Sequence, residues 1–405
     1  MGPLERDACA VISAAVHPMM PLDLIAALVS ALALAIWAYL ICGRGGYWLA
    51  RERDRDRLAA PPRWPRVTAV VPARNEAEAI AASIGSLGRQ DYPGDFSIVL
   101  VDDDSTDGTA TIAEQAAHNA RHPLTVISSH SLAAGWTGKL WALRQGIEAA
   151  SRAGAPPDYL LLTDADIVHT PDSVRALVER AEAGGYVLTS LMAKLRCQSH
   201  AERIHVPAFV YFFAMLYPFA WANDPRRATA AAAGGCMLVK AAALRSAGGV
   251  DSIRNALIDD CSLARKMKAT GPIWLGLTER VVSIRRYDWA EARRMISRSA
   301  YAQLRYSPLL LALVTIGMAM TFLAGPLLAV LGEGLARILG GFTFALMVLS
   351  FLPMLRFYRM SPLWALALPA IALLYMIYTL DSAYRSMRGR GGEWKGRVQA
   401  SASRS

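Results

Sequence analysis

Four long apolar runs limit the fold of this sequence more than any other feature. The first, at residues 24–42, carries no charge. As a helix with a rise of about 1.5 Å per residue, it is long enough to cross a hydrocarbon core of about 30 Å. Three further runs close the chain, at residues 309–331, 335–355 and 363–380. The sequence therefore predicts an integral membrane protein with one N-terminal and about three C-terminal membrane-embedded helices.

The first apolar run is predicted to be an uncleaved membrane anchor. A cleaved signal peptide is the alternative, but the run is long for a signal peptide and no small-x-small cleavage site precedes Gly43. Before the run Arg6 is the only basic residue, whereas arginine is frequent after it. These later arginines are Arg44, Arg51, Arg53, Arg55, Arg57, Arg63 and Arg66. Because positively charged flanks stay in the cytoplasm, the central region is predicted to be cytoplasmic.

The C-terminal runs conflict with that same rule. Three complete crossings would export the basic tail, which contains Arg385, Arg388, Arg390, Lys395 and Arg397. The rule places such a tail in the cytoplasm. We therefore expect one of the three runs to be re-entrant or interfacial, and the segment at residues 322–342, which glycine and proline interrupt, is the first choice.

The charge and cysteine patterns exclude several classes of protein. The net charge of +10 is concentrated beside the apolar runs, which favours anionic lipid headgroups over nucleic acid as a partner, and no nucleic-acid-binding motif is present. The cysteines show no paired spacing, so the sequence predicts neither a disulfide framework nor a zinc site. They are Cys9, Cys42, Cys197, Cys236 and Cys261.

The region between residues 65 and 287 alternates strand and helix signals, which predicts an α/β fold. Strands are predicted at residues 67–71, 96–101, 124–128, 159–163, 186–195 and 234–240. Helices are predicted at residues 77–90, 105–120 and 138–151. A further helix is expected to be capped by Thr170, with Pro171 at its first position.

Two later segments are predicted to be helices near the bilayer. Residues 204–224 are apolar and aromatic but contain Pro207 and Pro218, which favours a helix on the bilayer surface over a fifth span, with an ordinary core helix as the alternative. Residues 288–308 are predicted to form a basic amphipathic helix that leads into the next apolar run. Its basic face would carry Arg294, Arg298, Tyr301 and Arg305.

A pair of aspartates, Asp164 and Asp166, follows a strand-like apolar run. In open α/β sheets ligands bind at the carboxyl ends of the strands. The pair offers two hard oxygen ligands to one divalent cation, and Mg²⁺ in proteins takes one or two carboxylates and fills its other positions with water and substrate phosphates. The sequence therefore predicts a metal–diphosphate site. The alternative is a helix-capping aspartate beside a surface aspartate.

Other polar residues follow neighbouring strands or precede a helix. Glu76, Asp102 and Asp103 follow the first two strands and are predicted to accept hydrogen bonds from a base or ribose, while Lys139 is predicted to meet phosphate. No P-loop and no GxGxxG motif is present, which disfavours a kinase or a dinucleotide enzyme.

Asp259 and Asp260 stand at the predicted start of a later helix. Acidic residues at this position can be explained by the helix dipole alone. The functional interpretation is a general base that takes a proton from an attacking hydroxyl.

With these residues the sequence resembles the family 2 glycosyltransferases. The matching motifs are VVPARNE, VDDDSTDGT, TDAD, the Gly234-Gly235 pair before a strand, and IDD ending at Asp260 in place of the family's Glu-Asp. Within that family the sequence is similar to the hopene-associated glycosyltransferases. The segments that carry this similarity are GWTGKLWAL, FAWANDPRR, AAAGGCMLV, GPIWLGLTERV and SAYAQLRYSPLLL.

The resemblance implies a GT-A fold, a nucleotide-sugar donor, Mg²⁺ or Mn²⁺, and inversion at the anomeric carbon. By analogy Asp103 would contact the base, Asp164 the ribose or the metal, and Asp166 the metal. Asp260, next to Asp259, would be the catalytic base. The remaining donor-site residues by analogy are Pro72, Ala73, Glu76, Asp102 and Lys139. The acceptor-site residues are Gly234, Gly235 and Arg305.

Two departures from the family pattern disfavour a processive polymer synthase. Asp259 replaces the usual glutamate, and the Gln/Arg-x-x-Arg-Trp motif is represented at best by residues 302–306. The expected function is transfer of one sugar from a UDP-linked donor to a hydroxyl group of a lipid, with a hopanoid as the expected acceptor. A polyprenyl-phosphate acceptor and a non-catalytic GT-A scaffold remain as alternatives.

The expected location is the bacterial inner membrane, as a multi-pass protein with its catalytic domain facing the cytoplasm. The expected layout is a tail (1–22), an anchor (23–43), a basic juxtamembrane linker (44–65), a GT-A domain (66–287), an amphipathic interfacial helix (288–308), membrane helices (309–382) and a basic tail (383–405).

Overall fold

The computed structural model describes residues 21–56, 58–152 and 154–388, together with two short antiparallel strands, Glu393–Trp394 and Arg397–Val398. Residues 1–20 of the predicted N-terminal tail, Arg57 of the predicted linker and most of the predicted C-terminal tail lie outside the described residues. The first described helix, α1, is Pro21–Cys42, and a short 3₁₀ helix at Tyr47–Leu49 follows it.

A mixed eight-stranded sheet forms the centre of the molecule. Its strands lie in the order β3-β2-β1-β4-β7-β6-β8-β5. The strands are β1 (Val67–Ala73), β2 (Phe96–Asp102), β3 (Leu124–Ser128), β4 (Tyr159–Thr163), β5 (Ile167–His169), β6 (Leu188–Leu195), β7 (Cys236–Lys240) and β8 (Ile273–Ser283). Strand β1 runs parallel to β2 and β4, whereas β7 runs antiparallel to both β4 and β6. The carboxyl ends of β1, β2 and β4 therefore meet at one edge of the sheet.

The predicted α/β fold is confirmed, and all six predicted strands are present. Two strands were not predicted. Strand β5 has three residues, too few for an alternating pattern to appear. Strand β8 is longer, and the first half of it is apolar and includes Gly276. Because this half is buried on both faces, its sequence does not alternate between apolar and polar residues. These two strands bring the chain after residue 280 beside the aspartate pair.

Helices cover both faces of the sheet. They are α2 (Ile80–Gly88), α3 (Thr109–Ala117), α4 (Gly138–Arg152), α5 (Ser173–Gly184), α6 (His200–Leu216), α7 (Phe219–Asn223), α8 (Ala241–Ser246) and α9 (Asp259–Lys268), with a 3₁₀ helix at Val250–Ile253. Successive residues of β1 point to opposite faces: Val71 belongs to one core cluster with Ile84 of α2, and Val70 to the other with Leu140 of α4.

The prediction that Thr170 caps a helix beginning at Pro171 is wrong by two residues. Helix α5 begins at Ser173. Residues 170–173 form a turn in which the Ser173 amide donates to the Thr170 carbonyl (3.0 Å), and the Thr170 hydroxyl is turned to Asp172 (2.6 Å). The threonine side chain is therefore occupied by a local contact and does not cap the helix.

Helix α6 is largely buried, which fits the core-helix alternative for the segment at 204–224. It begins at a capping box formed by Ser199 and Glu202. Val206 and Tyr211 are completely buried, in a cluster that also contains residues of the C-terminal helices. Pro218 ends the segment's first helix and α7 follows. Helix α6 thus joins the sheet domain to the apolar helices.

The C-terminal part of the chain is helical throughout most of its length. Its helices are α10 (Trp289–Gln303), α11 (Pro308–Met318), a π-helical segment (Ala319–Ala324), α12 (Gly325–Leu331), α13 (Gly334–Phe357), a 3₁₀ segment (Pro362–Ala367) and α14 (Leu368–Met387). In α10 the predicted basic face is partly wrong. Tyr301 is buried and its amide donates to Ser382 of α14, and Arg305 lies beyond the end of the helix.

Four helices of the described chain are long and apolar enough to cross a membrane: Leu22–Cys42, Pro308–Leu331, Gly334–Phe357 and Pro362–Met387. They coincide with the four predicted apolar runs. Helix α1 packs against the C-terminal helices, since Ser30 donates to the Ala336 carbonyl and the Trp37 indole to the Thr321 carbonyl. The segment at 322–342 contains a break between two helices at Gly332. A re-entrant run in this region stays a prediction.

Candidate active site

Two loops at the carboxyl edge of the sheet are tied together by hydrogen bonds. The loop after β1 donates from the Glu76 amide to the Thr109 hydroxyl (2.9 Å) and from the Ala77 amide to the Asp107 carboxylate (3.0 Å). The Asn75 side chain accepts from the Thr106 amide (2.9 Å). The PARNE and DDDSTDGT motifs therefore form one continuous rim.

Asp102 and Asp103 lie under this rim, where β2 ends. Asp103 is completely buried, its amide donates to the Ala73 carbonyl (2.8 Å), and the Arg74 guanidinium lies 3.7 Å from its carboxylate. Pro72 and Ala73 are paired with β2 at this point of the sheet. One carboxylate oxygen of Asp102 is buried without a hydrogen-bond partner among the described residues. A buried oxygen of this kind is costly unless a ligand donor reaches it.

Lys139 stands at the centre of the site. It lies in the first turn of α4, and its ammonium is 2.8 Å from Asp164 and 3.4 Å from Asp259. Burial alone would lower the pKa of Lys139, but attraction to Asp164 and Asp259 outweighs burial and raises the pKa. The lysine is therefore a fixed positive charge between the end of β4 and the start of α9.

Asp260 is the second residue of α9 and has the properties of a general base. Its carboxylate accepts hydrogen bonds from the Gly234 amide (3.0 Å) and the Cys261 amide (2.7 Å). Burial, reinforced by the neighbouring charge of Asp259, raises the pKa of Asp260 to about 6. A base with this pKa is ionised at neutral pH and still binds a proton readily.

The two glycines of the Gly234-Gly235 pair lie between these groups. A Cβ atom at Gly234 would stand 3.4 Å from the Lys139 ammonium and 3.5 Å from Asp260. The Gly235 carbonyl accepts a hydrogen bond from the Thr163 hydroxyl (2.8 Å), which ties this turn to the end of β4. The missing side chain at Gly234 leaves the space next to the carboxylate of Asp260 open.

Arg285 completes the charged part of the site and was not predicted. Its guanidinium donates to Asp166 (3.1 Å) and to Glu76 (2.8 Å), and Ser283 also donates to Asp166 (2.8 Å). Arg285 and Ser283 stand at the end of β8, a strand that the sequence pattern did not reveal. The two consecutive arginines at residues 285 and 286 are the one available signal.

The structure brings most of the predicted residues together. Pro72, Ala73, Glu76, Asp102, Asp103, Lys139, Asp164, Asp166, Gly234, Gly235, Asp259 and Asp260 all lie along the carboxyl edge of the sheet or at the start of α9. Arg305 is the exception. It is exposed, has a positive φ of 52°, and forms no ion pair within the described part of the chain.

The donor atoms at this edge fit a divalent metal only together with a substrate. Among the described residues, no group of three or more His, Cys, Asp or Glu side chains could hold a metal ion. Asp164 and Asp166 leave β4 together, and each is already paired with a cation, Lys139 or Arg285. Since Mg²⁺ commonly uses one or two carboxylates and completes its shell with phosphate and water, this pair fits an ion that arrives with a diphosphate.

Comparison with known proteins identifies the family. A model described as glycosyl transferase family 2 matches residues 68–247, and one described as glycosyl transferase family group 2 matches residues 159–379, more than half of the chain. The chain belongs to the family 2 glycosyltransferases. The predicted enzyme class is confirmed, and the carboxylates described above are the polar groups of a glycosyltransferase domain.

Individual relatives are more distant. An N-acetylglucosaminyltransferase from Azorhizobium caulinodans is 31% identical over 150 residues, which is 36% of this chain and 35% of that protein, so the match spans about a third of the relative. The mannosyltransferase PcManGT from Pyrobaculum calidifontis, solved with GDP-Man and Mn²⁺, is 19% identical with a TM-score of 0.55. The alignment covers 90% of this chain and 99% of that one, which confirms the predicted GT-A fold.

Proposed function

We propose that this protein is a membrane-bound inverting glycosyltransferase that moves one sugar from a nucleotide-sugar donor to a hydroxyl group of a lipid. The observation that carries the proposal is the position of Asp260, whose pKa is about 6. The Gly234 amide donates a hydrogen bond to its carboxylate, and Gly234 also lies beside the Lys139 ammonium. A base and a phosphate-binding cation thus face the same space. The names of the relatives, an N-acetylglucosaminyltransferase and a mannosyltransferase with GDP-Man, support a nucleotide-sugar donor.

The donor is proposed to bind along the carboxyl edge of the sheet. Asp103 and the unpartnered oxygen of Asp102 would accept hydrogen bonds from the base and ribose. Lys139 and Arg285 would face the diphosphate, where their charges stabilise the negative charge that develops as the sugar leaves. Asp164 and Asp166 would hold Mg²⁺ or Mn²⁺, which when bound adds to this electrostatic stabilisation. We expect UDP as the nucleotide.

The acceptor hydroxyl is proposed to lie beside Asp260. From there it would approach the anomeric carbon on the face opposite the bond to the diphosphate. Asp260 takes the hydroxyl proton while the acceptor oxygen forms a bond to the anomeric carbon. The bond from that carbon to the diphosphate oxygen breaks, and its electron pair leaves with the diphosphate. Attack from the opposite side inverts the anomeric centre. Asp259 would act indirectly, since its charge holds the pKa of Asp260 up.

The apolar helices are proposed to hold a lipid acceptor, of the hopanoid type, beside a catalytic domain that faces the cytoplasm. Four described helices have the length and apolarity of membrane spans, and α6 joins the same buried cluster as these helices and Cys261, the neighbour of Asp260. A lipid hydroxyl held at this junction would be close to the base. The basic residues after α1 favour a cytoplasmic catalytic domain.

The first experiment measures release of nucleoside diphosphate by the purified protein in lipid nanodiscs. A panel of nucleotide sugars is tested with and without Mg²⁺ or Mn²⁺ and with and without extracted hopanoids. We expect metal-dependent turnover of one donor that the lipids stimulate. Asp260→Asn is expected to lower transfer by about 10²–10⁴-fold, the usual contribution of a general base. Asp166→Ala is expected to abolish the metal-dependent turnover.

Asp56→Asn is the matched control, because Asp56 belongs to another Asp-x-Asp pair and its side chain is 70% exposed in an ion pair with Arg180. It should behave as the wild type. Near-normal turnover of Asp260→Asn with a polyprenyl phosphate would favour that acceptor, since a phosphate needs little base catalysis. Absence of both donor binding and turnover would favour a non-catalytic scaffold.

A further inference from the structure

The basic linker after α1 is held against strand β8. Arg53 pairs with Leu277 in a parallel bridge. The Asp54 amide donates to the Leu277 carbonyl (3.1 Å), and the Leu277 amide donates to the Glu52 carbonyl (2.8 Å). The Asp54 side chain is buried and accepts a hydrogen bond from the Thr278 hydroxyl (2.7 Å). The charged residues of this part of the linker therefore have fixed positions beside the sheet.

A cavity of about 280 Å³ opens beside this attachment. Its walls are residues 53–55 of the linker, residues 277–280 of β8, and Phe357. Phe357 is the last residue of α13, which is one of the candidate membrane spans. The 3₁₀ helix that follows α1 also contacts α13. The cavity therefore lies at the junction between the candidate spans and the sheet domain.

Three cations surround the carboxylate of Glu279, which forms part of the cavity wall. They are Lys194 at 2.9 Å, Arg55 at 3.6 Å and Arg359 at 3.6 Å. The hydrogen bond from Lys194 and the charges of these cations lower the pKa of Glu279, so the carboxylate is ionised. A single carboxylate neutralises only one of the three positive charges.

Arg53 adds a further positive charge to the cavity. Its guanidinium lies over the Phe357 ring, 5.1 Å from the ring centroid, and its Nε donates to the Ala50 carbonyl (2.7 Å). Among the described residues, no carboxylate forms an ion pair with it. Burial lowers the pKa of Arg53, repulsion from Arg55 lowers it further, and Glu279 offsets only part of this change.

Arg280 is the fifth cation at the cavity, and two carboxylates share it. Its guanidinium lies 3.2 Å from Asp54 and 2.9 Å from Asp172. The network around the cavity thus contains five cations and three carboxylates. The excess is two positive charges, and it lies on the side of Arg53 and Glu279, because Asp54 and Asp172 already neutralise Arg280.

The place of this excess charge favours a lipid headgroup as the ligand. Basic pockets beside the ends of membrane helices bind anionic headgroups, and guanidinium groups match phosphate oxygens in two parallel hydrogen bonds. A free phosphate would use the same cations. The wall formed by Phe357, however, continues into α13, where Phe342 and Leu349 are exposed. These apolar side chains offer a surface for acyl chains, which a free phosphate does not need.

We propose that this cavity binds the phosphate group of an anionic membrane lipid, with Arg53, Arg55 and Arg359 as its cationic ligands. The bound lipid holds the linker and β8 at the bilayer surface and so fixes the distance of the sheet domain from the membrane. The site rests on the membrane-bound part of the proposed function. It does not depend on sugar transfer, because no wall residue belongs to the candidate active site.

The test is a lipid titration of the purified full chain in neutral detergent, with native mass spectrometry as the readout. Phosphatidylglycerol and phosphatidylcholine are the probes, and the wild type should prefer the former. Arg53→Gln and Arg55→Gln should each weaken phosphatidylglycerol binding about fivefold, the usual effect of one basic residue near an anionic headgroup. Glu279→Gln should strengthen binding, because it frees the cations that the carboxylate neutralises.

Arg152→Gln is the matched control, because the Arg152 side chain on α4 is 81% exposed and distant in sequence from the cavity walls. It should bind both lipids as the wild type does. Equal affinity of the wild type for the two lipids would overturn the inference. A loss in Arg152→Gln as large as in Arg53→Gln would also overturn it, because net charge alone would then explain the binding.

Calorimetric titration with inorganic phosphate separates the two sources of the phosphate group. Phosphate binding as tight as that of phosphatidylglycerol, and weakened by the same variants, would overturn the lipid assignment. Thermal unfolding shows whether a variant folds, and Arg55→Gln decides the result if Arg53→Gln does not, since the Arg55 side chain is 62% exposed. Failure of the wild type to enter nanodiscs would refute the membrane-bound function, and this site with it.

Discussion

The carboxyl edge of the sheet and the place where α6 meets α10 are built from different chemistry. On the sheet side two cations, Lys139 and Arg285, each contact two carboxylates. Where α6 and α10 meet, the contact between Gln303 and Tyr217 is neutral, and Tyr217 packs against the apolar cluster that contains Cys261. The difference fits the proposed ligands, since a diphosphate is highly charged and a lipid hydroxyl is not. Charge therefore separates the proposed donor-binding edge from the helices that are proposed to hold the acceptor.

Among the variants that test this comparison, the largest effect is expected on the charged side, from Arg285→Ala. Its guanidinium makes charge-assisted hydrogen bonds to Asp166 and Glu76, and such bonds contribute about 1.5–3 kcal/mol each. Loss of one bond of this strength to the diphosphate would lower kcat/KM for the donor by about 10–100-fold. Steady-state kinetics with varied nucleotide sugar measure the loss, and kcat/KM for the acceptor at saturating donor should change less.

Arg286→Ala is the matched control, because Arg286 is the adjacent exposed arginine. Arg285→Lys should recover only part of the activity, since lysine keeps the charge but cannot contact two carboxylates with a planar fork. An Arg285→Ala variant that is more active than the wild type would contradict the proposal, because it would mean that the arginine blocks the donor site.

A smaller effect is expected from Asp259→Asn, in the pH dependence. Asp260 must be ionised to act as a base, so activity should fall as the pH drops through about 6, its pKa in the folded protein. Burial raises this pKa most, and the charge of Asp259 raises it further. Removing that charge lowers the pKa, so the acid limb of the pH–rate profile should move to lower pH.

The acid limb is measured as kcat/KM for the acceptor between pH 5 and 8. Asp251→Asn is the control, since Asp251 is an exposed aspartate whose carboxylate is paired with Arg144. The variant is expected to retain a larger fraction of its own maximum rate at low pH than the wild type. A limb that stays in place or moves to higher pH would mean that another group sets it.

The carboxylates and Lys139 of the charged side could be predicted from the sequence, whereas Arg285 and the neutral contact between α6 and α10 could not. Asp102, Asp164 and Asp260 follow strands or begin a helix, and carboxyl ends of parallel strands converge by geometry. Tyr217 and Gln303 stand at helix ends, and nothing in the sequence pairs one with the other. Their meeting depends on how α6 and α10 pack, which is a tertiary property. Arg285 was missed for a related reason, because it follows β8, a strand without an alternating pattern.

The candidate membrane helices show the same limit. Their number and approximate bounds follow from apolar length alone, and all four coincide with the predicted runs. The burial of Tyr301 could not be predicted, because it requires α14 to pack along α10. Sequence periodicity assigned Tyr301 to the basic face, whereas packing against Ser382 placed it inside. The sequence therefore predicts which helices form more reliably than which faces meet.

The smallest effect is expected from Tyr211→Phe. This variant tests whether the apolar cluster around α6 is independent of the charged edge of the sheet. The Tyr211 hydroxyl is completely buried and lies 2.6 Å from the Ser350 hydroxyl of α13 and 3.2 Å from the hydroxyl of Tyr47. Its removal should lower the free energy of unfolding by about 1 kcal/mol, the contribution of one neutral hydrogen bond. The loss is measured by thermal or denaturant unfolding in detergent, with the exposed Tyr39→Phe as the control.

If the charged edge and the apolar cluster are independent, Tyr211→Phe should not shift the acid limb of the pH–rate profile, which is expected near pH 6. Tyr211 takes no part in the ion pairs of Lys139 or Arg285. A shifted limb would show that the apolar cluster shared by α6 and Cys261 transmits packing changes to Asp260. The structure favours independence. The two hydrogen bonds to the Asp260 carboxylate come from the backbone amides of Gly234 and Cys261, so neither is donated by a side chain of the apolar cluster.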